Sequence, residues 1–274
     1  MSLLQALVLG VVQGLTEYLP VSSSGHLVLV PRLLGWTMLE DDGIARAFDA
    51  ALHLGTLGGA VVYLRRELAA LVVAGVARPS SPLARRASAP LASAAPAGLE
   101  GLGGAEGTTR VLGGPALVAA SLAGFGLLLW WVDRVAARRV ARGAAPRGEA
   151  TLGPTDALTI GLAQVLALNP GTSRSGITMT AALARGMSRE AAARTAFLVG
   201  VPVTAAAGVY GLVEIARAGL PSGLGGALAV GIAASAVSGW WAMRMLVRVV
   251  AARTFAPFVA YRLGLALLVL LVLV

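Results

Sequence analysis

Apolar residues fill most of this chain, and the polar ones gather at a few points. The clearest gathering is Gln13-Gly14-Leu15-Thr16-Glu17-Tyr18-Leu19-Pro20-Val21-Ser22-Ser23-Ser24-Gly25-His26. It sets a carboxylate, an amide, three serine hydroxyls and an imidazole between the apolar flanks Met1 to Val12 and Leu27 to Leu34. Polar groups in such surroundings are costly to bury and need a reason to be there. Gln13 and Glu17, four apart, share one face of a helix. Pro20 ends or breaks that helix, the serines and Gly25 make a turn, and the apolar residues after His26 start a second helix. The unit over 1–34 is too short for two spans of about 20 residues each, so the pattern predicts a re-entrant helix-loop-helix hairpin.

The stretch Gln164 to Gly176 answers it: an apolar helix, Pro170, a hydroxyl-rich turn Gly171-Thr172-Ser173-Arg174-Ser175, and Gly176 before more apolar residues. A shift of about 151 positions sets Gly10 on Gly161, Gln13 on Gln164, Ser22 on Ser173, Ser24 on Ser175 and Gly25 on Gly176. This is an internal repeat, and polar loops breaking apolar segments at corresponding points of two halves point to a site at a membrane midplane. The second hairpin is expected over 156–186. Between and after the hairpins the pattern predicts spans at Phe48 to Leu64, Leu112 to Val132, Thr195 to Leu212, Gly223 to Met243 and Phe255 to Val274. A weaker helix is expected at Ser88 to Leu102, inside a stretch rich in Ala, Pro, Ser and Gly. The fold class is therefore all-α: one polytopic membrane domain over 1–274, with halves 1–132 and 156–274, two re-entrant hairpins and about six transmembrane helices.

Composition strengthens this picture. With 57% hydrophobic and 13% charged residues, the chain is too apolar for an ordinary soluble domain. The positive side of its net charge of +9 comes from arginine alone. These arginines cluster between apolar runs, five of them in the 133–155 loop, which is positive-inside topology and not a nucleic-acid-binding face. With those clusters inside, the first hairpin enters from outside, three spans follow, and the second hairpin enters from inside. The halves are then inverted and the two tips can meet. The absence of cysteine excludes disulfides, thiol catalysis and zinc-cysteine sites. The N-terminal run lacks a basic leader and is not read as a cleaved signal.

Arginine presents a rigid fork of donors that keeps its charge, so Arg174 in its hydroxyl-rich turn suits an oxyanion, above all phosphate. Gly171, Thr172, Ser173 and Ser175 build that cradle, helped by the N-terminus of the helix opening near Gly176. In the first loop, a serine beside Glu17 and His26 can act as nucleophile, with imidazole or carboxylate taking its proton. Glu17, with Gln13, can instead hold a hard divalent cation. A turn-forming role fits at least one of the serines, and Asp49 with His53 can form a supporting pair. A phosphate site within a membrane implies a substrate with an apolar tail and a phosphorylated head.

The two motifs resemble those of the undecaprenyl diphosphate phosphatase family, the lipid-carrier recycling enzymes of bacitracin resistance. Gln13, Glu17, Pro20, Val21, Ser22, Ser23, Gly25 and His26 match its first motif, and Pro170, Gly171, Ser173, Arg174, Ser175 and Gly176 its second. Phe48-Asp49 with His53-Leu54-Gly55, and Pro96-Ala97 with Gly101-Leu102, are similar to further family segments. The resemblance implies hydrolysis of undecaprenyl diphosphate to undecaprenyl phosphate and inorganic phosphate. It also implies a Mg2+ or Ca2+ requirement and a multi-pass protein of the bacterial inner membrane whose site opens to the extracytoplasmic side. Carried over by position, Glu17 and Arg174 are the strongest catalytic residues, Ser23 is the favoured nucleophile, and Gln13, His26 and Ser173 complete the site; Ser22 is counted with the phosphate-binding residues, and a homodimer is compatible. The attacking group, serine or water, stays open. Position 13 is Gln where the family often has Glu, which leaves one carboxylate for a cation. The rival reading is a polyprenyl-phosphate flippase or transporter, since inverted repeats are also a transporter architecture.

Overall fold

The computed structural model describes residues 1–37, 42–77, 114–219 and 223–274, and among these residues the chain forms ten α-helices, two short 3-10 helices and no strand. The helix expected at Ser88 to Leu102 lies outside the described residues. Several helices begin where the sequence supplies a start. α1 (Leu3–Tyr18) opens on a capping box, with Ser2 Oγ accepting from Gln5 N at 3.2 Å and Gln5 Oε1 from Ser2 N at 2.8 Å. Pro20 stops it, and α2 (Ser23–Leu33) leads away from the turn. α3 (Asp42–Tyr63) is followed after Leu64 by α4 (Arg65–Ala77). α5 (Pro115–Ala141) and α6 (Pro154–Val165) start on prolines, whose fixed φ suits the first helical turn. α7 (Arg174–Ala184), α8 (Arg189–Ala218), α9 (Gly225–Ala252) and α10 (Ala256–Leu273) complete the order.

Four helices, α5, α8, α9 and α10, are long and apolar enough to cross a membrane. α3 has a comparable length of 22 residues, but Asp42, Arg46 and Asp49 dilute its first half. α5 and α9 run on past the expected ends at Val132 and Met243. The Trp130-Trp131 pair and Arg244 and Arg248 therefore lie on helices, with Arg134 over the Trp130 ring at 4.7 Å and Arg244 over Trp240 at 5.7 Å.

Two apolar clusters and a set of ion pairs fix how the helices run. At one end Ala6 and Leu9 of α1 pack with Phe48 and Leu52 of α3 and with Leu224 and Ala227 at the start of α9. At the other end Asp133 of α5 accepts from Arg189 Nε at 2.5 Å and from Phe255 N at 3.2 Å, tying α5 to α8 and α10. Beside it, buried Asp156 takes Arg147 at 2.7 Å and Arg185 at 2.7 Å, which anchors the α6–α7 pair. The start of α1 and Leu27 and Val30 of α2 thus lie at the first end, and the start of α6 and the end of α7 at the second. α1 docks on α9 through small residues: a Cβ added at Gly14 would lie 2.7 Å from Gly239 N, and one at Gly10 2.7 Å from Gly231 O.

Candidate active site

The two helix-turn-helix pairs are built alike. Ser22 and Ser173 cap α2 and α7, and they are the only non-glycine residues with positive φ among those described, at 73° and 70°. Each cap hydroxyl lies 3.3 Å from the serine two residues on, Ser24 or Ser175. Both hinge residues hold a conformation that costs an L-residue on the order of 1–3 kcal/mol, so the surroundings must enforce it. The repeat visible in the sequence is therefore also a repeat of backbone geometry.

The tips meet. Ser175 Oγ donates to Leu19 O at 2.9 Å, and Arg174 Nη2 pairs with Glu17 Oε1. The other oxygen of Glu17 accepts from Ser23 Oγ at 2.7 Å and from Gln13 Nε2 at 3.0 Å. Arg174 Nη2 also donates to Thr204 Oγ1 of α8 at 2.8 Å. Gln13, Glu17, Ser22 and His26 are buried, while Ser23 and Arg174 are partly open. One carboxylate thus joins a hydroxyl from its own hairpin to a guanidinium from the opposite one. Arg174 Nη1 and Nε have no hydrogen-bond partner among the described residues.

Of the two groups the sequence offered to take a serine's proton, imidazole or carboxylate, the imidazole of His26 has other hydrogen-bond partners. Its Nδ1 lies 2.7 Å from Ser22 O, which can only accept, so Nδ1 carries the proton. Nε2 lies 2.7 Å from Tyr261 Oη, whose ring stacks parallel to the imidazole with centroids 5.6 Å apart. Among the described residues, Ser23 finds the carboxylate of Glu17 and His26 finds a tyrosine. Asp49 and His53 do pair, at 3.5 Å, with Asp49 57% exposed. Of the proposed phosphate cradle, Ser175 donates its hydroxyl proton to Leu19 O and Ser173 Oγ accepts from Gly176 N at 3.2 Å. Thr172 Oγ1 is buried without a hydrogen-bond partner, and Gly171 holds φ at 90°.

Sequence reasoning missed three residues of this site: Thr204, Tyr261 and Arg262. Arg262 stands alone in an apolar run, and a lone arginine at membrane depth is itself a signal. For a cation, Gln13 Oε1 is the telling atom. It is buried beside the Glu17 carboxylate without a hydrogen-bond partner, as an oxygen donor awaiting a hard ion would be. Among the described residues no three His, Cys, Asp or Glu side chains gather into a metal cluster. Gln13 Oε1 and the Glu17 carboxylate are oxygen donors of the kind a hard divalent cation takes.

The fold and the site together define an all-helical protein with membrane-capable helices, in which two polar helix-turn-helix units meet through Ser23, Glu17 and Arg174. The chain belongs to the bacitracin resistance protein BacA family, whose model matches residues 6–268. It is 42% identical over 281 residues to undecaprenyl-diphosphatase 2 of Stutzerimonas stutzeri (strain A1501), covering 98% of each chain. It is 42% identical over 277 residues to the undecaprenyl-diphosphatase of Gemmatimonas aurantiaca, covering 98% of this chain and 97% of that protein. To the undecaprenyl-diphosphatase of Geobacter metallireducens it is 42% identical over 268 residues, covering 96% of this chain and 95% of that protein.

Proposed function

We infer that this chain is a membrane hydrolase that cleaves undecaprenyl diphosphate to undecaprenyl phosphate and inorganic phosphate, returning the lipid carrier to use. The observation that carries this reading is the Ser23–Glu17–Arg174 chain, formed across two hairpins in a protein whose relatives bear that enzyme's name. The two halves are an inverted repeat, and the hairpins are re-entrant segments of a multi-pass protein of the inner membrane. The site faces the extracytoplasmic side, away from the arginine-rich end.

Arg174 binds the terminal phosphate through its free donors, joined by Thr172 and the first amides of α7. Ser23 Oγ attacks the terminal phosphorus while Glu17 Oε2, already its acceptor at 2.7 Å, takes the proton. The bond from that phosphorus to the bridging oxygen breaks, and the electron pair leaves with undecaprenyl phosphate. A water then attacks the phosphoserine, Ser23 Oγ recovers a proton, and inorganic phosphate departs. The short Ser23–Glu17 bond favours serine over direct attack by water. A divalent cation would be held by Glu17 and Gln13 Oε1 together with diphosphate oxygens, and it would supply neutralisation of phosphate charge.

The test is phosphate release from a polyprenyl diphosphate in detergent, with and without Mg2+ or Ca2+. Wild type is expected to release phosphate and Arg174→Ala to lose it by about 100-fold or more. Residual turnover in Ser23→Ala well above that of Glu17→Ala would assign the attack to water. A folded wild type that releases no phosphate with either cation would overturn the reading.

A further inference from the structure

Arg262 lies within α10, 0% exposed, and heads the fully buried side chains by size. Burying an unpaired cation is opposed by several kcal/mol, so its surroundings must offset that. Its guanidinium meets no carboxylate among the described residues; every partner is a backbone carbonyl. Nη2 donates to Gly171 O and Thr172 O at 3.0 Å and to Ser121 O at 3.4 Å. Nε donates to Leu122 O at 3.0 Å, and Nη1 reaches Pro20 O at 3.5 Å. One side chain therefore gathers carbonyls from both hairpin tips and from α5. Two glycines make room for it: a Cβ added at Gly126 would lie 3.3 Å from Nε, and one at Gly176 3.1 Å from Nη1.

This placement orients the loop. A trans peptide holds its C=O and N–H on opposite sides, so the Thr172 carbonyl on Arg262 turns the Ser173 N–H away from it. The side-chain cap of α7 satisfies Gly176 N, and α2 has no side-chain cap at all. First-turn amides at both tips thus stay available to an anion, next to a guanidinium, Arg174, that is only partly used. The charges agree: Arg174 is matched by Glu17, whereas Arg262 leaves one buried positive charge that an anionic ligand would balance.

We propose that Arg262 is the positioning residue of the diphosphate site: it holds the carbonyls of both tips behind the site so that their amides face the phosphates, and it supplies the unmatched charge. The proposal rests on the site being one for a diphosphate. Full-length wild type, Arg262→Met, Arg262→Lys and Gly126→Ala are compared in detergent for kcat and KM with farnesyl diphosphate, inhibition by inorganic pyrophosphate, and unfolding temperature.

Arg262→Met is expected to weaken KM and pyrophosphate inhibition together by about 10-fold or more and to lower kcat by about 100-fold. Arg262→Lys, with the charge but not the fork, should recover pyrophosphate binding but little of kcat. Gly126→Ala keeps the charge and displaces the guanidinium, so KM should rise several-fold at an unfolding temperature close to wild type. An Arg262→Met protein that folds with unchanged KM and pyrophosphate inhibition sinks the proposal, and a lowered unfolding temperature alone would reduce Arg262 to a brace. Where Arg262→Met does not fold, wild-type KM and pyrophosphate inhibition in Gly126→Ala have the same force. Pyrophosphate binding that depends on Arg262 in a wild type that hydrolyses nothing would refute the diphosphatase and leave the positioning role standing.

Discussion

Glu17 meets two partners of opposite character, Arg174 on one oxygen and the Ser23 hydroxyl on the other. The arginine holds the carboxylate charged and aimed, and the serine bond gives that charge something to act on. Glu17→Gln keeps the shape but cannot take a proton. It is expected to lower kcat by about 100-fold or more in the phosphate-release assay while the protein stays folded. Tyr261→Phe probes a lesser contact. It removes one hydrogen bond worth about 1 kcal/mol, so turnover should fall by no more than about 10-fold, and a larger loss would give the tyrosine a direct part in the chemistry. At this scale the sequence was legible wherever function concentrates polar residues: Gln13, Glu17, Ser23 and Arg174 stand out against apolar flanks and do meet in space. Arg262 carried a signal, an arginine inside an apolar run, but its target did not show, and Tyr261 and Thr204 gave no local sign at all. Their meaning depends on which helix packs against the tips, and local pattern does not contain that.

Helices α1, α3 and α9 approach closely because glycine and serine line their seam. At Gly14 a methyl group would collide with Ser238 Oγ and lie 2.7 Å from Gly239 N, whereas at Gly58 on α3 it would meet nothing within 4 Å. Gly14→Ala is therefore expected to destabilise by about 1–3 kcal/mol. Gly58→Ala should be neutral or stabilising by up to about 1 kcal/mol, since alanine is the better helix former. Unfolding temperatures in one detergent give the comparison, and equal shifts for the two variants would mean that the seam is not tightly packed. The hairpin limits were readable from Pro20 and Pro170, which no helix interior tolerates well. The far ends of α5 and α9 were not. Hydropathy ends a span where the arginines begin, yet arginine is a good helix former, and these helices continue into the charged zone through Ala141 and Ala252.

The ends of the whole molecule differ in charge. The arginines of the α5 C-terminus, the 142–153 loop, the α8 N-terminus and the α9 C-terminus lie at the end where Asp133 and Asp156 are paired. The opposite end carries the start of α1 and the return of α2. The proposed orientation, which follows the positive-inside rule, puts the first of these at the cytoplasm. Under that proposal the α1–α2 pair enters and leaves by the outer face, and α6–α7 by the inner one. Because the chain contains no cysteine, single-cysteine variants report this without a background. Arg138→Cys, exposed near the end of α5, and Leu34→Cys, 52% exposed just past α2, are the informative pair. In intact cells a membrane-impermeant maleimide should label Leu34→Cys and leave Arg138→Cys unlabelled until the membrane is opened. The reverse pattern would turn the molecule over and put the Glu17–Arg174 site within reach of the cytoplasmic face. Labelling of both from one side would place both ends on the same face and remove the opposed hairpins, and with them the reason the two polar loops meet within the membrane.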